Sequence, residues 1–360
     1  MRDSHRPRQD AERDPLSAGA PAGRRPRLDD VAAAAGVSTA TVSLVLRGVA
    51  GPSAATRERV LDEASRLGYR PDRAASLLAS RRSRLIGVVM DIANPFHAQL
   101  VEDVQEAAEH QGYDVVLSAV TRGRDERRAI ETLLDSRCEA LVLLGPLAPA
   151  DQLAALDRQL PVVAVGRPVP SAEVDVIRAA DDEGVALAVD HLAGLGHRNI
   201  TYVDGGRGVM AALRRRGYHR AMRTHGLGDL IRVIGGGNTE ESGATAAHAL
   251  LGVDPRPTAV LTFNDRAAMG LLDALIRADV DVPGAMSVVG YDDSPFSRLA
   301  HIELTTVSQN IPELTEHAVA AVIERLDGGR TDHREVVVRP RLVVRGTTAP
   351  PPDQAVRAPA

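Results

Sequence analysis

From Leu85 onward the chain alternates short β-branched runs with amphipathic helical stretches, and it does so twice over. No other feature narrows its fold as much. The first round predicts strands at 85–90, 115–119, 140–144 and 162–165, separated by helices at 95–111, 124–136 and 150–159. The second predicts strands at 199–203, 231–235, 259–262 and 287–290 with helices at 184–195, 211–225, 239–251 and 266–278. Strands interleaved with helices of this length pair in parallel through βαβ crossovers, so the pattern predicts two Rossmann-like α/β halves. A helix at 311–326 and short strands at 336–338 and 342–344 remain to complete the two sheets. Ligands of open parallel sheets bind beyond the carboxyl ends of the strands, and two such halves imply a cleft between them.

The segment before this body has a different period. In LDDVAAAAGVSTATVSLVLR, residues 28–47, the residues Leu28, Val31 and Ala32 form one apolar face and Gly36 ends the first helix. Ser38 caps a second helix whose apolar face is Val42, Val45 and Leu46. A third helix, 53–67, offers Val60, Ala64 and Leu67 to cover the first two. This is a helix-turn-helix of the lambda-repressor-like, all-α kind, and its second helix presents small or polar residues without acid, as approach to a phosphodiester backbone requires. Thr39, Ala40 and Leu44 lie where major-groove readout takes place. Ser38, Thr41, Ser43, Arg47, Ser53 and Thr56 are placed to meet phosphates, and for Ser38 and Ser53 that role is compatible with helix capping.

Charge follows the same division. The net charge of -5 hides ten Arg against six acids over residues 27–84 and 27 Arg against 38 acids over residues 85–360; no lysine occurs. The positive end suits nucleic acid. At 360 residues, 44% hydrophobic and 25% charged, the chain has length for two or three domains with real cores. No apolar run approaches the roughly 18 residues that span a bilayer. The Arg- and Pro-rich start lacks a signal-peptide core, and the lone Cys138 cannot close an internal disulfide. A cytoplasmic protein without membrane partner is the expectation, with Cys138 a small core residue. No GxSxG, GxxxxGK[ST], HExxH or CxxC motif is present, so neither catalysis, nor a bound cofactor, nor a metal is expected.

The run DVAAAAGVSTATVSLVLRG followed by TRERVLDEASRLGYRPDRAASLLASRRSRLIGVV resembles the start of the lactose-repressor family of bacterial transcription regulators. The resemblance continues through NPFHAQLVEDVQEAAEHQGYDVVLS, HLAGLGHRNITYV, FNDRAAMG, SVVGYDDSPFSRL and LTTVSQ. It implies a periplasmic-binding-protein-like core whose chain crosses between the halves three times. The implied domains are a tail at 1–26, a helix-turn-helix domain at 27–71, a hinge helix and linker at 72–84, a core at 85–348 and a tail at 349–360. The core would divide into 85–181 plus 313–328 and 182–312 plus 329–348. In the family, paired hinge helices of a dimer enter the minor groove and wedge a Leu into the central base step. The matching residue is Leu78, with Arg73 and Ala75 lining the groove. Leu44 stands where many relatives carry Arg, and Asp29 and Asp72 where a neutral or basic residue is commoner.

By the strand-end rule Asp91, Phe96, His97, Arg122, Asn264 and Asp292 point into one cavity, while Arg214 and Gln309 match effector-contacting positions of the family. Asp91 and Asp292 are also open to a helix-capping role, and Asp265 and Asp293 fit capping better than ligand binding. Asn238 stands where relatives often place a sugar-stacking aromatic, and Gly166 where many have Asp. The reading is a repressor that binds palindromic double-stranded operator DNA as a homodimer, or a tetramer built from two, under control of a small sugar-like effector. A nucleoside, a sugar acid, a sugar phosphate, or activation in place of repression are alternatives on the same scaffold. An exported transport protein with the same two lobes is disfavoured by the N-terminal helix-turn-helix.

Overall fold

The computed structural model describes residues 26–46, 48–69, 82–170 and 173–352. The chain divides into two compact units, Met1–Arg82 and Ser83–Ala360. Arg47 and the expected hinge residues Arg73, Ala75 and Leu78 lie outside the described residues.

In the first unit, α1 (Leu28–Ala35), α2 (Thr39–Leu46) and α3 (Ala54–Arg66) form the three-helix head. Gly36 ends α1 in the left-handed region, φ 64°, a conformation that costs any residue with a Cβ. The turn that follows bends α2 by 102° from α1. Val31, Ala32, Ala35, Val42, Val45, Val60 and Ala64 are the buried core. Two arginines read in the sequence only as positive charge are structural: Arg59 Nε donates to the Ala35 carbonyl at 2.9 Å, and Arg57 Nη2 donates to the Val49 carbonyl at 3.0 Å. The first is a carbonyl left over where α1 ends, and the second lies in the loop after α2.

The second unit holds two six-stranded sheets. The first lobe begins with β1 (Leu85–Asp91), α4 (Pro95–His110), β2 (Asp114–Val120), α5 (Glu126–Asp135), β3 (Ala140–Leu144), α6 (Ala150–Asp157), β4 (Val162–Val165) and β5 (Asp175–Ala179). The second runs through α7 (Asp181–Gly194), β6 (Ile200–Asp204), α8 (Val209–Thr224), β7 (Arg232–Gly235), α9 (Glu240–Leu251), β8 (Ala259–Thr262), α10 (Asp265–Arg277), β9 (Ser287–Tyr291) and β10 (Thr305–Ser308). Then α11 (Ile311–Leu326) and β11 (Glu335–Val338) return to the first lobe, and β12 (Arg341–Val343) to the second. The strand orders, β11-β5-β4-β3-β1-β2 and β12-β10-β9-β8-β6-β7, are the same arrangement twice. Among the described strand pairs only β10–β12 is antiparallel.

Each sheet is covered on both faces. In the first lobe Leu100 and Val104 of α4 and Leu314, Ala318 and Val322 of α11 pack on one side, and Leu133 of α5 and Leu153 of α6 on the other. In the second, α7 and α8 bring Val189, Tyr218 and Met222 to one face, and α9 and α10 bring Leu250, Leu271 and Leu275 to the other. Glycine sets how closely α9 and α10 approach. A Cβ at Gly243 would stand 1.9 Å from the Ala267 carbonyl oxygen, and one at Gly270 1.7 Å from that of Glu240.

Three expectations are corrected. β5 and β10 are strands that the alternation did not reveal. β11 pairs in parallel with β5 and so belongs to the first lobe, not to the second as the 329–348 boundary implied. The C-terminal tail does not begin at 349: the Ala349 carbonyl accepts from His197 Nε2 at 2.8 Å and its N–H donates to Ser287 Oγ at 3.1 Å. Cys138 is a buried core residue as expected.

Candidate functional site

In both sheets the strand order reverses beside the first strand, between β1 and β3 and between β6 and β8. Crevices open at such switch points, beyond the strands' carboxyl ends. The loops there bring together one cleft of about 240 Å³. The first lobe contributes Asp91, Asn94, Phe96, His97, Glu126, Leu147 and Gly166; the second contributes Met210, Arg214, Asn238, Phe263, Asn264, Asp292 and Gln309. A larger groove, about 680 Å³, lies between α4 and α11 on one lobe and does not involve these strand ends.

The polar chemistry is concentrated on the second lobe. Arg214, 4% exposed, donates from Nε to Asp181 Oδ1 at 2.7 Å and from Nη1 to the Phe263 carbonyl at 2.6 Å. Its guanidinium carbon lies 3.6 Å from the Tyr291 ring centre and 4.7 Å from that of Phe263. Burial works against its charge, but Asp181, Tyr291 and Asp292 outweigh that penalty and hold its proton more tightly than usual. Asp292 accepts from Gln309 Nε2 at 2.8 Å and stands 3.8 Å from Arg214 Nη2. Burial pushes the Asp292 carboxyl up to about 7, with Arg214 pulling the other way. Its backbone φ of 119° is strained for a residue with a side chain, and such strain collects at binding sites.

The first lobe offers a flatter wall. The Asp91 N–H donates to His97 Nδ1 at 3.0 Å, which makes that nitrogen the acceptor and leaves the proton of the neutral ring on Nε2. Burial lowers the His97 pKa to about 4, against the pull of Asp91, so the ring is uncharged at neutral pH. Nε2 lies 3.3 Å from where a Gly145 Cβ would be, so glycine there gives the ring its room. Glu126 accepts from the N–H groups of Leu147 at 2.6 Å and Ala148 at 3.1 Å, while Arg167 donates to the carbonyls of Pro146 and Ala148. The β3–α6 loop is thereby clamped from both sides.

Asp91, Phe96, His97, Arg214, Asn238, Asn264, Asp292 and Gln309 all line the cleft as the sequence reading expected. Arg122 does not: it is exposed at the tip of a tight turn whose ends, Thr121 and Arg124, bridge to each other. The capping roles also differ. Asn94 and Asn264 cap α4 and α10, accepting from Phe96 N and Ala267 N. Asp91 instead accepts from Ala93 N at 2.9 Å, within the turn that precedes α4. Asp265 is a buried tie that accepts from Thr306 Oγ1 at 2.5 Å and Ser294 N at 2.7 Å, and Asp293 pairs with Arg345 at 2.6 Å. Sequence reasoning missed Asn94, Glu126, Leu147, Met210 and Phe263. The strand-end rule, applied also to β3 and β6, would have reached Leu147 and Met210.

On the head, Ser38, Thr39 and Ala40 are exposed, and Thr41, Ser43 and Leu44 are half-buried. Ser38 Oγ accepts from Thr41 N at 3.2 Å and meets Thr41 Oγ1 at 2.9 Å. Ser53 and Thr56 repeat the arrangement at 3.3 and 2.9 Å. Both serines cap their helices, and each hydroxyl pair retains capacity for a further partner. Asp29 is exposed in the first turn of α1, where the helix dipole favours an acid.

A helix-turn-helix head together with a periplasmic-binding-protein-like body carrying a cleft defines a DNA-binding transcriptional regulator. The model of the lacI family of bacterial regulatory proteins matches residues 27–72, and that of the periplasmic binding protein-like domain matches residues 189–348. The transcriptional regulator GalR of Escherichia coli K12 is 33% identical over 329 residues, which cover 90% of this chain and 96% of GalR. The structure of the lac repressor dimer bound to operator and the anti-inducer ONPF aligns with a TM-score of 0.77 at 30% identity, over 91% of this chain and 100% of that one. The transcriptional regulator CelR in complex with cellobiose aligns with a TM-score of 0.66 at 30% identity, over 90% and 100%. The chain belongs to the lacI family. No described helix is long and apolar enough to cross a membrane.

Proposed function

We propose that the protein is a cytoplasmic repressor that binds a palindromic operator as a dimer, carries out no catalysis, and is controlled by an uncharged, monosaccharide-sized effector. The cleft carries this reading. Its 240 Å³ lie at the small end of the range for ligand pockets, which suits a ligand of monosaccharide size. Guanidinium, carboxylate and amide groups stand side by side on the second lobe, a set that suits vicinal hydroxyls that donate and accept in pairs. Arg214 is already neutralised by Asp181, Arg122 is outside, and the carboxyl groups of Asp91 and Glu126 stand on the lining. That balance disfavours the sugar phosphates and sugar acids that the sequence left open. That the lac repressor structure is described as bound to the anti-inducer ONPF and the CelR structure as a complex with cellobiose supports a small sugar-like effector.

A thermal-shift panel of free sugars, disaccharides, uronic acids, sugar 6-phosphates and nucleosides tests the effector class. A neutral monosaccharide at about 100 times its Kd is expected to add about 2.7 kcal/mol, a rise of several degrees in Tm. Stabilisation by a nucleoside alone overturns the sugar assignment, and silence across the panel removes the effector reading altogether.

For DNA, mobility shifts on duplexes flanking the gene are expected to show binding that weakens steeply with salt. Leu78→Ala is expected to weaken operator binding at least about tenfold by removing the wedge, because unstacking at the central step is what the contact sustains. Equal affinity in the variant removes the hinge from the account.

A further inference from the structure

Outside the crossover segments, one side-chain hydrogen bond among the described residues passes from lobe to lobe: Arg266 Nη1, on α10, donates to the carbonyl of Ala93, in the turn after β1, at 2.7 Å. Arg266 is braced for this. Its Nε and Nη2 form a two-pronged pair with Glu240 Oε1 and Oε2 of α9 at 2.8 and 2.6 Å, leaving Nη1 to reach across. A planar guanidinium held at two points has lost most of its freedom before the third bond forms. The far end is equally fixed, because Asp91 Oδ1 accepts from Ala93 N at 2.9 Å and its carbonyl accepts from Asn94 N at 3.1 Å. Asp91 and Asn94 on one side and Asn264 on the other line the cleft, one to two residues from the bonded groups. A ligand touching that turn therefore acts on the same few residues that the bond holds.

We propose that Arg266 is a latch: its bond to Ala93 holds the lobes closed over the cleft, and Glu240 is the positioning residue that aims it. The closed population of the protein without effector is then set by a contact outside the ligand site, and effector entry waits on its breaking.

The test needs no effector. In the full chain, Asp151→Cys and Thr245→Cys place nitroxide labels on exposed positions of the two lobes, while Cys138 stays unlabelled because it is buried and burial pushes its thiol up to about 11. Pulsed-resonance distances are expected to show one narrow population in this background. Arg266→Ala is expected to raise the population at longer distance about three- to tenfold, the range for loss of one partly exposed hydrogen bond. Glu240→Ala is expected to raise it less, since the donor remains but loses its brace. Arg266→Lys, which keeps a donor without the fork, should fall between, and keeps the test open if the alanine variant folds poorly. An unchanged distance distribution in both Arg266 variants overturns the latch, and an effect of Arg266→Ala without any in Glu240→Ala overturns the brace.

Discussion

Replacing Arg214 with methionine is expected to cost about 3–5 kcal/mol of folding stability, the penalty for leaving a buried ion without its partner. Asp181 is 1% exposed and Arg214 4%, so the carboxylate cannot turn to water once its cation is gone. Asp292, 3.8 Å from the guanidinium, loses the charge that opposes its protonation as well. Against a total of about 5–15 kcal/mol for a typical domain, the loss removes a large share of the margin. Denaturant unfolding of the full chain checks it. Adding Asp181→Asn to Arg214→Met is expected to return part of the loss, because the orphaned charge goes with it; a double variant no more stable than the single one would show that the two residues do not act as a pair. Effector binding should vanish in the single variant, since Arg214 also ties the Phe263 carbonyl and so shapes the cleft wall.

Gly270→Ala is expected to cost about 1–3 kcal/mol or more, although alanine is the better helix former. Its Cβ would stand 1.7 Å from the Glu240 carbonyl oxygen, which is backbone and cannot swing aside. The two helices must separate. Gly194→Ala is the control: it lies in α7, meets nothing within 4 Å, and should be neutral or stabilising by up to about 1 kcal/mol. Thermal unfolding separates the two, at roughly 2–4 °C per kcal/mol for a domain of 150–250 residues. Equal melting temperatures for the two variants would mean that α9 and α10 do not rest on glycine.

Most of the fold was legible because apolar periodicity was intact. The strands at 140–144, 162–165 and 259–262 are the observed ones, being unbroken apolar or β-branched runs buried throughout. β5 and β10 were hidden because polar residues interrupt them. Asp175, fully buried, is neutralised by Arg330 at 3.0 Å, and Arg178 by Glu335 at 2.5 Å, both about 155 residues away. In β10, Thr305 N donates to Thr347 Oγ1 at 2.9 Å and Thr306 Oγ1 to Asp265. A local window sees such a polar residue but not the distant partner that lets it be buried.

The cleft was legible for the same reason in reverse: the strand-end rule depends only on where a strand stops. It failed for Arg122 because the Thr121–Arg124 turn folds back on itself, a conformation that no period records. It passed over Glu126, whose contribution is to hold two N–H groups of a loop some 20 residues on.

The triple crossover has a consequence for synthesis. α11 supplies Leu314, Ala318 and Val322 to the core of the lobe that begins at Leu85, and β11 closes that lobe's sheet edge beside β5. A chain growing on the ribosome thus leaves the face of β3, β4 and β5 that α11 covers exposed until residues 311–338 emerge. Long-range closure of this kind is slow and leaves sticky surface uncovered. The nascent chain should accordingly depend on chaperones, and a truncation just before Ile311 should aggregate even though both binding surfaces lie largely upstream of it.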